Sequence, residues 1–301
     1  MKEDKSSSPL ISVVMNCYNG EKYLNQSIQS LIQQSYKNWE LIFWNNNSTD
    51  KSEEIFKKFN DKRLKYFCSG NKTSLYKARN LSVQKTNGEY LTFLDVDDFW
   101  LVDRLKKQVD FFVKFPNINF VYGNFFIFNE RKNKKKIAHK NINLPSGNTY
   151  QSLLKYYSVG LVSICLKKKI FTKFDDRFDI IGDFDAIIKI AKKNDFGVIK
   201  EPLSVYRLHE NNFSFLNKKQ HYDELSIWYE ENLKNDNEIE KSIKKKFETQ
   251  LYELHILSLI FSNSKVEALE MILKKCSLLK KMKFILFLII PNRILKKLID
   301  F

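Results

Sequence analysis

The stretch EYLTFLDVDDFW, residues 89–100, joins a strand-like run to a cluster of aspartates, and this combination indicates the fold. Its first half is apolar and aromatic, with the length and composition of a buried strand. Asp95, Asp97 and Asp98 follow directly, and carboxylates crowded at the end of a strand repel one another and resist partial burial. Mg²⁺ or Mn²⁺ would relieve this repulsion, because such ions take one or two carboxylates together with water and nucleotide phosphates. The alternative is a solvated acidic turn that caps the next helix.

Strand and helix patterns alternate through the first hundred residues, up to the acidic stretch. Apolar runs at residues 10–15 and 39–44 predict two further strands. Apolar residues at helical spacing follow the first strand, and a capping-box pattern at Asp50 and Glu53 predicts a helix after the second. Short connections between such elements indicate a mostly parallel sheet with helices on both faces. Ligands bind beyond the carboxyl ends of the strands in such sheets. Polar clusters lie at three of these ends, at residues 16–19, 45–50 and 95–98.

Beyond residue 100 the pattern predicts short strands, and one further aspartate is a candidate site residue. Asp183 stands at the start of a helical pattern, where the helix dipole favours a charged carboxylate. A plain helix cap is the alternative for this residue. Another strand-like run leads into Arg207 and His209. We predict short strands at residues 119–123, 125–129, 161–166, 196–199 and 203–206.

The composition favours a folded chain with an anionic partner. Hydrophobic residues make up 43% of the 301 residues, and the formal net charge is +16. Such a charge fits a nucleotide diphosphate, a negatively charged membrane face or nucleic acid. The basic residues are spread along the chain without a recognition motif, which argues against nucleic acid. The four cysteines are far apart and predict neither a disulfide framework nor a zinc site.

Changes in composition along the chain predict three parts. Residues 1–8 are polar and lack the apolar centre of a signal peptide, so we expect a disordered tail and a cytoplasmic protein. Residues 9–220 carry the strand and helix alternation, and residues 221–301 contain only long helical patterns. The apolar block at residues 284–290 has basic residues on both sides and is too short to span a bilayer. This segment either lies in a membrane interface or packs against the preceding helices.

Five sequence motifs occur in one order over residues 9–214. They are SVVMNCYNGEKYL (12–24), ELIFWNNNSTDKS (40–52), ARNLSVQKTNGEYLTFLDVDDFW (78–100), IGDFDAI (181–187) and VYRLHENNFS (205–214). In this order they resemble the family 2 glycosyltransferases, which have the GT-A fold and transfer a sugar from a nucleotide-diphosphate sugar with inversion. The resemblance implies an α/β GT-A fold with a mostly parallel sheet flanked by helices, here followed by a C-terminal helical extension.

The resemblance also implies roles for individual positions. Asn16 and Tyr18 match positions that hold the nucleobase, with Tyr18 available for stacking. Asp95 and Asp97 match the DxD motif, in which the first is expected near the ribose and metal and the second as the direct ligand of Mn²⁺ or Mg²⁺. Asp183 matches the general base that takes the proton of the acceptor hydroxyl.

Further matched positions lie around the donor. Arg79 matches an arginine near the base and ribose, whereas Arg207 and His209 match residues near the diphosphate, with His209 as a further metal ligand. Asn45 stands where the family commonly has an aspartate that contacts the base. An asparagine oxygen still accepts a hydrogen bond from uracil N3–H, so a UDP-sugar is the favoured donor. The acidic residue that often precedes the base is Gly182 in this chain.

The expected function is that of a metal-dependent inverting glycosyltransferase. Its partners would be a nucleotide-diphosphate sugar and a glycan or lipid-linked acceptor in surface polysaccharide biosynthesis, at the cytoplasmic face of an anionic membrane. The alternative is a non-catalytic GT-A module that binds a nucleotide sugar or a partner protein. It is motivated by the asparagines at residues 45–47, which replace the family's usual two aspartates and glycine.

Overall fold

The computed structural model describes residues 8–292 and 294–295 of the chain. The predicted tail, residues 1–8, lies outside this part of the chain except for Ser8. The chain divides after His209 into two compact units. The predicted boundary between residues 220 and 221 falls within a helix of the second unit, Lys218–Asn232.

The strands all lie in the first unit, as far as the chain is described. They are β1 (Ile11–Cys17), β2 (Trp39–Asn45), β3 (Leu64–Cys68), β4 (Tyr90–Phe93), β5 (Phe99–Trp100), β6 (Phe120–Asn129), β7 (Lys134–Ile137), β8 (Cys165–Lys167) and β9 (Phe196–Leu208). Over the described residues they form one nine-stranded sheet in the order β3-β2-β1-β4-β8-β6-β9-β5, with β7 paired to β6. The first four strands in this order are parallel, as the sequence predicts. All residues of β1 and β2 are buried, as in a parallel sheet covered on both faces.

The second half of the sheet is mixed rather than parallel. β6 and β9 run parallel, whereas β8 lies antiparallel to both β4 and β6. The prediction of separate strands at residues 119–123 and 125–129 is wrong, because both belong to β6. The two strands predicted at residues 196–199 and 203–206 are likewise joined in β9. Within the predicted strand 161–166, Leu161–Ser163 is instead a 3-10 turn that precedes β8.

An irregularity explains why β6 and β9 resemble broken strands in the sequence. The register between them shifts on either side of Asn124, whose partner is Pro202. Pro202 has no N–H to donate to the ladder, and proline in a strand is typical of bulges. The Asn124 side chain instead bonds to the main chain of His139, accepting its N–H and donating to its carbonyl oxygen. Polar and proline residues that predict turns therefore lie inside continuous strands.

Helices follow the parallel strands and supply the core that covers the sheet. In α1, Leu24, Ile28 and Leu31 recur at helical spacing and are buried in the same apolar cluster as Trp39 and Phe43 of β2. The helices of the first unit are α1 (Leu24–Ile32), α2 (Ser52–Lys57), α3 (Leu75–Val83), α4 (Arg104–Lys114), α5 (Tyr150–Lys155) and α6 (Gly182–Ala191).

The described residues of the second unit form helices joined by short loops, with no strand among them. Its helices are α7 (Phe213–Leu216), α8 (Lys218–Asn232), α9 (Lys241–Phe261), α10 (Lys265–Lys275) and α11 (Leu278–Ile289). An apolar cluster joins the last three of them, with Ile260 of α9, Ile272 of α10 and Phe284 of α11 all buried. In the described part of the chain, no helix has the length and apolar character needed to cross a membrane.

Candidate active site

The predicted site residues of the first unit gather where strands end. Cys17 pairs with Asn45 at the ends of β1 and β2, and the N–H of Leu94 donates to the carbonyl oxygen of Val14 in β1. The acidic stretch after β4 therefore starts beside the polar residues that follow β1 and β2. At the end of β9, the N–H of Arg207 donates to the acidic stretch. One edge of the sheet thus collects the predicted donor-binding positions.

Asn16 and Tyr18 offer polar and aromatic groups at the end of β1. The Asn16 amide donates to the Ser82 hydroxyl at 2.9 Å. Its Oδ1 is buried and has no hydrogen-bond partner among the described residues, which leaves one acceptor of this side chain unsatisfied within the fold. The Tyr18 ring is 44% exposed, with the Lys72 ammonium 3.6 Å from its centroid. The predicted contact of both residues with a nucleobase stays a prediction.

Asn45 is already engaged within the fold. Its amide nitrogen donates to the Tyr66 hydroxyl at 2.9 Å, and its Oδ1 accepts the N–H of Ser48 at 2.8 Å. The side chain is fully buried. Its predicted contact with a nucleobase would use the remaining lone pair of Oδ1 and stays a prediction.

The two asparagines after Asn45 have structural roles. Asn46 bonds to the main chain of Thr73 through both its oxygen and its amide nitrogen. Asn47 has a φ of 64°, a left-handed conformation that asparagine tolerates better than other non-glycine residues. Asn47 thus keeps the backbone path that a glycine would take, and the triple asparagine does not disrupt this loop.

Arg79 of α3 and Asp95 form an ion pair between the Arg79 Nη2 and the Asp95 Oδ1. The Arg79 side chain is buried, whereas that of Asp95 is partly exposed. Burial alone would lower the pKa of Arg79, but the carboxylates of Asp95 and Asp183 outweigh burial and raise this pKa above its ordinary value. A fixed positive charge therefore lies near both carboxylates.

Asp97 faces His209, with 3.0 Å between its Oδ2 and the imidazole Nε2. Arg207 holds the backbone here, because its Nε donates to the carbonyl oxygen of Asp97 at 2.8 Å. Its Nη2 donates to Gln26 of α1. Arg207 is buried, so it orients the Asp97 segment from the interior of the fold.

Asp98 differs from its acidic neighbours because it is buried. Its Oδ1 accepts the N–H of Arg207 at 2.8 Å, which ties the acidic stretch to β9. Burial raises the pKa of Asp98 well above its ordinary value, and the negative charges of Asp97 and Asp95 add to this effect. Asp98 therefore belongs to the framework of the site.

Asp183 is the second residue of α6 and is held by neutral donors. Its Oδ1 lies 3.0 Å from the Tyr76 hydroxyl and accepts the N–H of Phe184 at 2.9 Å. Burial raises the pKa of Asp183 above its ordinary value, while the Arg79 charge and these hydrogen bonds act in the opposite direction. A carboxylate with a raised pKa accepts protons more readily, which suits a general base.

The residue before Asp183 explains how Tyr76 reaches it. A Cβ on Gly182 would lie 2.6 Å from the Tyr76 ring, closer than any normal contact. Glycine therefore lets the buried Tyr76 ring pack against the first turn of α6. The acidic neighbour that the family resemblance implies at this position has no room beside Tyr76.

Tyr206 of β9 lies near both the acidic stretch at residues 95–98 and Asp183. Burial raises its pKa above the ordinary value, and the carboxylates of Asp98, Asp97, Asp95 and Asp183 add to the rise. Contacts link the same two parts, because Arg79 pairs with Asp95 and lies 5.3 Å from the ring of Tyr76, whose hydroxyl bonds to Asp183. The structure brings the acidic stretch and Asp183 to a common site, although they are far apart in sequence.

This arrangement agrees with a known family. Residues 12–172, more than half of the chain, match Glycosyl transferase family 2. The chain is a family 2 glycosyltransferase. Among its relatives is the Escherichia coli UDP-Glc:alpha-D-GlcNAc-diphosphoundecaprenol beta-1,3-glucosyltransferase WfgD, which is 30% identical over 226 residues, 73% of this chain and 87% of the relative.

Solved structures confirm the GT-A fold of the glycosyltransferase. TarS (residues 1–349) of S. aureus in complex with UDP-GlcNAc superimposes with a TM-score of 0.60 at 16% identity, covering 92% of this chain and 79% of the TarS chain. The mannosyltransferase PcManGT from Pyrobaculum calidifontis, in complex with GDP-Man and Mn2+, gives a TM-score of 0.62 at 15% identity, covering 97% and 84%. The predicted α/β sheet flanked by helices, with helices at the C-terminal end, is confirmed.

The side chains of the glycosyltransferase that could ligate a metal fit a divalent cation with few protein ligands. Asp97 and His209 meet at 3.0 Å, and a carboxylate with an imidazole suits Mn²⁺. No cluster of three or more His, Cys, Asp or Glu side chains able to hold a metal occurs in the described residues. Asp95, a predicted further ligand, instead pairs with Arg79. Remaining coordination positions would be filled by water and diphosphate oxygens, as is usual for Mg²⁺ in nucleotide sites.

Several residues that shape the site could not be recognised from sequence patterns. Tyr76 contacts Asp183, and Ser82 contacts Asn16. Gln26 contacts Arg207. In each pair the two residues belong to different elements. Only Gly182 was a partial signal, because glycine leaves room for another group to approach closely at the start of a helix.

Proposed function

We propose that the glycosyltransferase moves a sugar from a UDP-sugar to a hydroxyl of a glycan or lipid-linked acceptor, with inversion and with Mn²⁺ or Mg²⁺. The observation that carries the proposal is the separation of two kinds of carboxylate. Asp97 faces His209, whereas Asp183, with its raised pKa, accepts hydrogen bonds from neutral groups. A UDP-sugar is favoured because WfgD is named for UDP-Glc and TarS binds UDP-GlcNAc.

The proposed reaction forms one bond, breaks one bond and moves one proton. The acceptor oxygen attacks the anomeric carbon, the bond from that carbon to the diphosphate oxygen breaks, and Asp183 takes the hydroxyl proton. General bases of this kind contribute about 10²- to 10⁴-fold. Attack opposite the leaving group inverts the anomeric centre. A divalent cation bound at Asp97 and His209 would neutralise the negative charge that builds on the leaving diphosphate.

The donor-binding residues in this proposal surround that reaction centre. Asn16 and Tyr18 would hold the base, with Tyr18 available for stacking. Asn45 would add a further base contact. Arg79 would fix Asp95 beside the ribose, and Arg207 would keep the Asp97 segment in place near the diphosphate.

The proposed site of action is the cytoplasmic face of a membrane, in surface polysaccharide biosynthesis. The name of WfgD includes a diphosphoundecaprenol-linked acceptor, and a lipid-linked acceptor would keep the enzyme at the bilayer surface. The unit that ends at His209 would form the catalytic domain, and the described helices of the second unit would make peripheral contact with anionic lipid.

A donor screen followed by a transfer assay tests the proposal. Thermal shift with a panel of nucleotide sugars, with and without Mn²⁺, should select a UDP-sugar, because a ligand that binds only the folded state raises the midpoint. Transfer of that sugar to a sugar-diphosphate-lipid analogue should then give the inverted anomer by NMR and stop with a chelator. Donor binding without hydrolysis or transfer would favour the non-catalytic module, and a retained anomer would contradict the mechanism.

A further inference from the structure

α11 has an apolar face that the core of the second unit does not cover. Phe284 on one side of the helix is buried in the apolar cluster of this unit. Residues three, four and seven apart lie on one side of a helix, which places five apolar side chains together away from Phe284. Their exposed fractions range from 55% to 81%, for Leu278, Leu279, Met282, Leu286 and Ile289.

The charges on α11 are all positive, and two of them border this apolar face. The helix contains three lysines and no Asp or Glu. Lys280 is directed toward the fold, where it pairs with Glu253 of α9. At 100° per residue, Lys281 and Lys283 lie on opposite flanks of the apolar face. The Lys283 ammonium lies 5.6 Å from the centroid of the Phe287 ring.

We propose that this face of α11 lies in the interface of an anionic lipid bilayer, with Lys281 and Lys283 at the headgroups. Amphipathic helices with lysine beside an apolar face bind in this way, lying in the plane of the membrane. Twelve residues extend about 18 Å, which is too short to cross the hydrocarbon core. The inference rests on the proposed function at a membrane face, for which it names the contact surface.

Charge favours lipid over a second copy of the chain as the partner. In a two-fold contact between two such faces the same surface meets itself, so the lysine-flanked rims would approach each other. Anionic headgroups neutralise those lysines instead. The sequence left core packing and membrane contact as alternatives for this segment. In this proposal both occur, with the Phe284 side of α11 packed in the core and the opposite side in contact with lipid.

Vesicle binding tests the proposal in the full-length protein. The variant Leu279→Gln/Met282→Gln/Leu286→Gln changes only exposed side chains, and deletion of α11 is unsuitable because it would remove Phe284 from the core. We expect this variant to bind phosphatidylglycerol-containing vesicles about tenfold more weakly, or worse, in a flotation assay. Lys281→Glu/Lys283→Glu should abolish the preference for these vesicles over phosphatidylcholine. Val113→Gln, at a side chain 73% exposed on α4, is the matched control and should bind as the wild type does.

Three outcomes would overturn the inference. They are absence of wild-type binding to anionic vesicles, unchanged binding of the triple variant, and a dimer in solution that the triple variant loses without any vesicle binding. Transfer to a soluble acceptor analogue is measured on the same proteins and should be unchanged in the triple variant. If transfer is absent from every protein while vesicle binding behaves as expected, the proposed function fails and the inference stands.

Discussion

Asp97 and Asp183 are carboxylates of one site, and their neighbours differ. Asp97 faces the imidazole of His209 and follows a strand, in a loop fixed by Arg207. Asp183 opens a helix and is held by the Tyr76 hydroxyl and a backbone N–H. The first arrangement is a direct contact between a carboxylate and an imidazole, two groups that can each ligate a metal once no proton is shared between them. The surroundings of Asp183 remove its carboxylate from water, and this burial raises the affinity of the carboxylate for a proton.

Arg79 lies between these two regions. It pairs with Asp95, and its charge lowers the pKa of Asp183 against the effect of burial. A base must be ionised before it accepts a proton, so this balance matters to the reaction. Residue type alone therefore does not determine the role of an aspartate in this site.

The largest expected effect is that of Asp183→Asn on the chemical step. The amide cannot take the acceptor proton, so kcat should fall about 10²- to 10⁴-fold while the KM for the donor stays nearly constant. Steady-state kinetics with the identified donor measures both constants. Asp185→Asn on the same helix, at a carboxylate paired with Lys189, is the control and should retain most of the activity. Wild-type kcat in folded Asp183→Asn would remove this residue from the mechanism.

Asp97→Asn should act through the metal. Loss of an outer-shell partner of a metal ligand costs about 10- to 100-fold, and removal of a direct ligand should cost at least as much in kcat/KM. A Mn²⁺ titration of activity should show a weaker apparent affinity, with partial rescue at high Mn²⁺. Rescue should be absent for Asp183→Asn. An Asp97→Asn enzyme with unchanged Mn²⁺ dependence would separate Asp97 from the metal.

Tyr76→Phe should have an intermediate effect that depends on pH. The hydroxyl donates to Asp183 and stabilises its ionised form, so its loss should raise the pKa of Asp183 further. Because the base works when deprotonated, the acidic limb of the kcat–pH profile should move to higher pH, with little change at the alkaline side. Donor-induced thermal shift should stay at the wild-type value. An acidic limb in the wild-type position would show that Tyr76 does not act on the base.

The smallest effect concerns stability. A group whose pKa is raised in the folded state contributes stability below its unfolded pKa and loses it as pH rises through the folded pKa. Ionised Asp183 is therefore unfavourable to folding at neutral pH, and Asp183→Asn should leave the melting temperature equal or higher there. Scanning calorimetry at neutral and acidic pH measures the difference. A marked fall at neutral pH would mean that the carboxylate is needed for folding.

The sequence could predict the parallel half of the sheet because each signal there is local. β1, β2 and β4 are short apolar runs followed directly by polar residues, so the fold and the edge that carries Asp95 and Asp97 follow from neighbouring residues. β6 and β9 could not be predicted in this way. Their continuity depends on pairing across the register shift at Asn124 and Pro202, which local turn preferences obscure.

The contacts of Asp183 were equally inaccessible to sequence reasoning. Tyr76 lies 107 positions away and is an ordinary apolar position of α3 in the helical pattern. Gly182 marks the close approach, but the sequence does not say which residue approaches. The positions of the site were therefore predictable from motifs, whereas the groups that hold Asp183 required the tertiary structure.

Metal-dependent donor binding by two variants tests the central claim most directly, namely that Asp97 serves the leaving group and Asp183 the acceptor proton. The measurement is the thermal shift given by the UDP-sugar with Mn²⁺, at ligand concentrations near 100 times Kd, where stabilisation is about 2.7 kcal/mol. Asp183→Asn should keep the wild-type shift, and Asp97→Asn should lose the part that depends on Mn²⁺. Equal shifts in the two variants, whether both retained or both lost, would contradict this division.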